Sequence, residues 1–202
     1  MEKTDFKKTL DSYQARHHEF RIIDVPPMQY LMIDGHGDPS SAPEFSAAIE
    51  ALYPVAYALK FASRNRLGRD YVVPPLEGLW WSPDMSTFTS ARDKSRWNWT
   101  LMLMVPEWIT REMFDAAATL KADPMAVNPV RLESLDEGRC VQTLHIGSFD
   151  DETSILATMH EEFIPKAGLG MAGKHHEIYF SDFRKVAPAK LRTILRQPVT
   201  TG

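Results

Sequence analysis

Two glutamates occupy positions where a carboxylate is out of place. Glu77 lies in Leu76-Glu77-Gly78-Leu79-Trp80-Trp81 and Glu177 in His176-Glu177-Ile178-Tyr179-Phe180, both runs of strand character. Burying a carboxylate among apolar neighbours costs several kcal/mol unless donors, a cation or a raised pKa relieve it. A raised pKa is what general acid–base chemistry at neutral pH requires. The competing reading is a structural carboxylate satisfied by an arginine or backbone amides, or one turned to solvent. Strand alternation puts Glu77, Leu79 and Trp81 on one face of their strand, and Glu177 and Tyr179 on one face of theirs. Both glutamates are candidate pocket acids.

Aromatic residues gather near the first of them. Trp80, Trp81, Trp97 and Trp99 fall within twenty residues, and Tyr53 and Tyr57 are four apart on one helix face. Flat rings beside a carboxylate suit polycyclic or cationic ligands through stacking and cation–π contact. For any single ring, plain core packing is the rival reading. The seven histidines contain no HExxH and no pairing with cysteine, so neither a metal site nor a cofactor is expected. His145 and His176 lie on expected strands and are candidate ligand donors, with structural histidines as the alternative. Gly168-Leu-Gly-Met-Ala-Gly173 fits GxGxxG, but its glycines follow a helix and precede a strand. A dinucleotide loop needs the reverse order, with phosphate meeting a helix N-terminus, so the match is rejected.

The elements that position these residues are legible in outline. Strands are expected over Gln29–Ile33, Leu76–Ser82 and Trp97–Val105. Between the first two lies a turn at 34–39, then a helix opened by a Ser41-x-x-Glu44 capping box and kinked at Pro54. Pro83–Ser95 reads as a loop. Thr110 caps a second helix over Arg111–Leu120. Asp123-Pro124 and Asn128-Pro129 form a linker, after which the pattern restarts: strand Cys140–His145, a glycine turn, helix Thr153–Ala167 disturbed near Ile164-Pro165, and strands His175–Ser181 and Leu191–Gln197. The expected fold class is α/β (α+β), a tandem pair of β-α-β-β modules forming one antiparallel sheet with helices on one face. The pseudo-repeats span about 25–122 and 130–200 of a single 1–202 domain, and would place Glu77 and Glu177 at matching points about one pseudo-axis.

Bulk properties exclude several function classes. The 202 residues carry a net charge of −4 with no basic stripe, which disfavours direct nucleic-acid binding. No apolar run of membrane-spanning length occurs, and the amino-terminal twenty residues read as a mixed-charge amphipathic segment rather than a secretory signal. Cys140 stands alone, so no internal disulfide forms. It is expected to be a buried, inert thiol in a reducing, cytoplasmic setting.

The runs Pro75-Leu-Glu-Gly-Leu-Trp-Trp81, Leu144-His-Ile-Gly-Ser-Phe-Asp-Asp151, Gly173-Lys-His-His-Glu-Ile-Tyr179 and Leu195-Arg-Gln-Pro-Val199 resemble the GyrI-like small-molecule-binding proteins, over roughly residues 20 to 200. The resemblance implies a tandem β-α-β-β fold. It also implies a small-molecule ligand, as in drug-sensing domains of transcription activators, gyrase inhibitors, or stand-alone hydrolases of cyclopropane-bearing alkylating toxins. It makes Glu177 the first candidate for the central pocket acid and Glu77 the second. Tyr53 becomes a candidate hydroxyl donor, and Trp80, Trp81, Trp97, Trp99, Tyr57 and Tyr179 candidate aromatic walls. The residues before the first strand are too few for a helix-turn-helix module, so a self-contained transcription factor is not expected. Hydrolysis of strained electrophiles, sequestration without turnover, and a gyrase-inhibitor-like interaction role are the readings carried forward.

Overall fold

A computed structural model describes residues 3–83, 93–121 and 129–201. Most of the expected Pro83–Ser95 loop, and the linker except Pro129, lie outside the described residues. In chain order the strands are β1 (Lys3–Thr4), β2 (Arg21–Val25), β3 (Met28–His36), β4 (Asp70–Tyr71), β5 (Leu76–Trp81), β6 (Asn98–Val105), β7 (Arg131–Leu135), β8 (Gly138–Ile146), β9 (Leu169–Met171), β10 (His175–Tyr179) and β11 (Arg192–Thr201). The helices are α1 (Phe6–Thr9), α2 (Pro43–Ala62), α3 (Arg111–Lys121), α4 (Glu152–Ala157) and α5 (Ile164–Lys166). The chain is mixed α/β with antiparallel sheet, as expected, and divides into two compact units.

Unit 1 comprises Met1–Thr9, Met28–Pro74 and Trp81–Leu135. Its β3 pairs antiparallel with β6 on one side and β7 on the other, and β1 and β4 form a separate parallel pair. Helix α2 packs on β3, β6 and α3. Its buried residues Phe45, Ile49, Leu52, Ala56 and Leu59 follow helical spacing. The helix runs unbroken through Pro54. The capping box is not used: Ala42 is the N-cap with no side-chain bond, and Pro43, which has no amide hydrogen to satisfy, opens the helix. Thr110 does cap α3, its Oγ1 accepting the Met113 amide at 3.2 Å.

Unit 2 comprises Leu10–Pro27, Pro75–Trp80 and Asp136–Gly202. Its strands run β2-β8-β11-β10-β5, all antiparallel, with β9 paired to the end of β11. On one face Val141, Leu195 and Val199 pack against Met159 and Ile164 of the helical stretch that continues α4 into α5 through a π-helical turn at Thr158–Phe163. That wide turn is where the expected single helix departs from regular spacing, just before Ile164-Pro165. Leu169–Met171, inside the rejected glycine motif, is β-strand. The short strands β2, β7 and β9 escaped the sequence reading because each is no more than five residues long, with weak alternation. Cys140 is fully buried, and burial pushes its thiol up to about 12.

Close approach fixes one glycine in unit 1. A Cβ on Gly35 would fall 2.0 Å from Trp99 Cη2, and Trp99 is wholly buried edge-on to Phe45 at 5.2 Å. Gly35→Ala is expected to lower stability by about 2–3 kcal/mol through overpacking, read as a fall in the urea midpoint. An unchanged midpoint would mean that the Trp99 ring moves aside freely.

Candidate functional site

The register of β5 and β10 decides what the two glutamates can do. Ile178 lies opposite Glu77, and Gly78 opposite Glu177. Directly paired residues share a face and neighbours along a strand alternate, so Glu77 and Glu177 project from opposite faces of the unit 2 sheet. The expectation that they occupy matching points of one pocket is not met. A one-residue offset between motif and register sends them to opposite sides.

Glu77 belongs to a buried ionic network. Its Oε2 lies 2.9 Å from His176 Nε2, and its Oε1 accepts the Tyr13 hydroxyl at 2.5 Å. His176 Nδ1 lies 2.9 Å from Glu137 Oε1. Carboxylate oxygens accept and do not donate, so both imidazole nitrogens carry hydrogen and the ring is an imidazolium. Burial pulls the His176 pKa down, but Glu137 and Glu77 outweigh it and the net direction is upward. Arg196 completes the network: Nη1 donates to Glu137 Oε2 at 2.7 Å, Nε to Gln142 Oε1 at 3.1 Å, and Nη2 to the Ser12 carbonyl at 2.5 Å. Burial alone would raise Glu137, yet His176 and Arg196 bring it down to about 2. Glu77, Glu137, His176 and Arg196 thus form a balanced set of two acids and two cations. Their partners Ser12 and Tyr13 sit on the short 3₁₀ turn Asp11–Tyr13.

Glu177 sits in a different environment. Its Oε2 accepts the Tyr179 hydroxyl at 2.7 Å, and the Tyr179 hydroxyl oxygen in turn accepts the Trp80 indole N–H at 3.0 Å. His175 Nε2 stands 3.5 Å from Oε1, an ionic rather than a hydrogen-bonding distance. The Glu177 side chain keeps 14% of its accessible surface, whereas Glu77 has none. The Tyr179 phenol is pushed well above its ordinary value by burial first and then by Glu177 and Glu152, so it stays protonated and donates. The His160 ring lies edge-on to His175 at 6.2 Å, and among the described residues neither His175 nitrogen nor His160 Nε2 has a hydrogen-bond partner. Burial, then His175, brings the His160 pKa down to about 4. A partly open carboxylate, held by one phenol and faced by an unsatisfied imidazole, is equipped to accept a proton from a bound water.

The remaining candidates divide between the units. Trp80 and Tyr179 stand with Glu177; Trp81, one residue on, alternates to the other face of β5. His176 belongs to the Glu77 network. His145 lies two strands from Tyr179 in the same row, with Nε2 3.0 Å from the Ser148 carbonyl. Tyr53, Tyr57, Trp97 and Trp99 belong to unit 1. Tyr53 stacks on Tyr57 at 6.4 Å, Trp97 lies under the Lys94 ammonium at 5.9 Å, and Trp99 is core. Sequence reading missed Tyr13, Glu137, His160, His175 and Arg196. His175 lies within the recognised run Gly173–Tyr179 but was not singled out as a site residue. Arg196 lies in the recognised run Leu195–Val199 and Glu137 in none, and in both cases the role shows only when chain-distant pairing brings them to His176. Among the described residues no group of three His, Cys, Asp or Glu converges on a metal site, and no helix is long and apolar enough to cross a membrane.

This fold is that of a small-molecule-binding class. The model of the GyrI-like small-molecule-binding domain matches residues 18–200, and the chain belongs to that family. An uncharacterised conserved protein from Listeria innocua is similar at 40% identity and TM-score 0.86, with 98% of this chain and all of that one covered. A hydrolase from the same organism is similar at 39% identity and TM-score 0.84, with the same coverage. The C-terminal domain of EcmrR shares the fold at 11% identity and TM-score 0.53, over 91% of this chain and 98% of that one. No curated protein matches the chain.

Acid should dismantle unit 2 in two steps. The unfolded state takes up a proton on His160 near pH 6.5 and the folded state only near 4, so stability falls as pH drops through that window, by up to about 3 kcal/mol. The Glu137 contribution is present above about pH 4.5 and is lost toward pH 2, again by about 3 kcal/mol. Thermal midpoints across pH 3–8 check this, and His160→Leu should flatten the upper limb alone. His176→Gln, which leaves buried Glu77 without its cation and Glu137 with Arg196 alone, is expected to destabilise by about 3–5 kcal/mol in urea titrations at pH 7.

Proposed function

We propose that the protein takes flat, hydrophobic, cationic or electrophilic small molecules beside Glu177, and that it hydrolyses strained electrophiles of the cyclopropane-bearing type. The observation that carries this reading is the Trp80–Tyr179–Glu177 chain, which fixes a partly accessible carboxylate beside two aromatic rings. Glu177 would accept a proton from water as the water oxygen bonds to a ring carbon. The strained C–C bond breaks, its electron pair moves into the conjugated carbonyl, and that oxygen is then protonated. Stacking would hold the ring in line for attack. Tyr179, kept protonated, orients the carboxylate and does not compete as a base. The relationship to a Listeria hydrolase supports turnover.

The family's description as small-molecule-binding favours a second reading, sequestration without turnover. One experiment separates them. Incubation with a cyclopropane-bearing alkylator should give the water-opened product, and Glu177→Gln should slow it by about 10²–10⁴-fold while leaving ligand binding, read by tryptophan quenching, within a few-fold of wild type. Equal rates for wild type and variant would overturn the role of Glu177. Binding without product would establish sequestration for that compound.

A further inference from the structure

One concavity in unit 2 is lined by neither Glu177 nor Tyr179 nor Trp80. It is an open cleft of about 510 Å³ between the segment His17–Phe20, the end of β8 and the first turns of the α4 helix. Drug-sized and smaller ligands occupy volumes of this order. Its apolar wall is Phe20, Ile146 and Ile155, and its polar groups include Asp151, His17 and His145.

The hydrogen bonds already made fix what the polar groups can still offer. His17 Nδ1 faces the Leu144 carbonyl at 3.1 Å, and His145 Nε2 faces the Ser148 carbonyl at 3.0 Å. A carbonyl only accepts, so each of those nitrogens carries the hydrogen. In the neutral ring the second nitrogen is then an acceptor. Asp151 Oδ2 takes the Ser148 hydroxyl at 2.7 Å, leaving Oδ1 as a further acceptor. His17, His145 and Asp151 line one small volume, and among the described residues they do not form a metal-ligand group. The wall is also held in place. His17 bridges to Leu144 in parallel register, and His18 is kept at φ +62° with its ring 3.7 Å from that of His17. A left-handed non-glycine residue is an uncommon conformation that surrounding structure must impose.

We infer that this cleft is a second ligand site, for a primary ammonium or amidinium group carried on a flat apolar body. The cation meets Asp151 and donates to His17 and His145, while the body lies against Phe20 and Ile155. The other titratable group on its wall is His18.

The test is an NMR titration of the full chain at pH 8 with benzylamine, and with benzyl alcohol as the neutral isostere. Benzylamine should give saturable shifts at the amides of His17, His145 and Asp151 in the millimolar range, and benzyl alcohol should bind at least tenfold more weakly. Asp151→Asn keeps the acceptor for Ser148 and should weaken benzylamine at least fivefold. Ser154→Arg, on an exposed helix position lining the cleft, should abolish binding. Equal binding of amine and alcohol would overturn the proposal, as would binding unaffected by either variant. Shifts confined to Trp80 and Tyr179 would assign the amine to the Glu177 site and also overturn it.

Discussion

The imidazolium of His176, clamped between Glu137 and Glu77, is the constraint on which the rest of unit 2 depends. Two buried carboxylates on one sheet face are tolerable only with matching positive charge at hydrogen-bonding distance. His176 and Arg196 supply it from adjacent strands, since they lie directly opposite each other in the β10–β11 register. The same charges reach the chain's amino-terminal segment. Arg196 binds the Ser12 carbonyl, Gln142 the Gln14 carbonyl at 2.8 Å, and Glu77 the Tyr13 hydroxyl. Residues 12–14 are thereby pinned over the sheet, and water is kept from the network.

That arrangement explains why two glutamates in similar apolar strands have unlike roles. Glu77 has both oxygens taken, by a cation and a phenol, and no accessible surface; it has no vacant position for a substrate or a water. Glu177 has a phenol on one oxygen and only a loosely placed imidazole near the other. The register places a fully buried ionic network on one face of the sheet and a partly accessible carboxylate on the other.

Much of this was legible in the residues. Long strands such as β3 and β6, and the helices α2 and α3, announce themselves through periodicity and length. The Glu177 motif announces itself through a carboxylate in an apolar run, and the buried Cys140 through its strand context. Register was not legible. Which strand pairs with β5, and whether Glu77 or Gly78 stands opposite Glu177, depends on hydrogen bonding between segments about a hundred residues apart. A slip of one residue reverses every side chain. The partners of His176 were hidden for the same reason: Glu137 lies in no recognised run, and the run that contains Arg196 does not say which strand it faces. The capping box failed because Pro43 fulfilled the same need more simply.

Register also gives meaning to the glycine in Leu-Glu-Gly-Leu-Trp-Trp. Gly78 faces Glu177 directly, and a Cβ there would fall 2.9 Å from Trp80 Nε1 and 3.1 Å from the Tyr179 hydroxyl oxygen. The space left by the missing side chain is the space in which the indole N–H reaches the phenol. Any larger residue would push apart the two groups that aim the carboxylate. The motif therefore encodes two things on alternate faces: at Glu77 a charge that fastens the amino-terminal segment, and at Gly78 a vacancy that lets Trp80 and Tyr179 orient Glu177. A one-residue periodicity thus separates the buried ionic network from the candidate site, and the glycine is as much a part of that candidate site as the acid it faces.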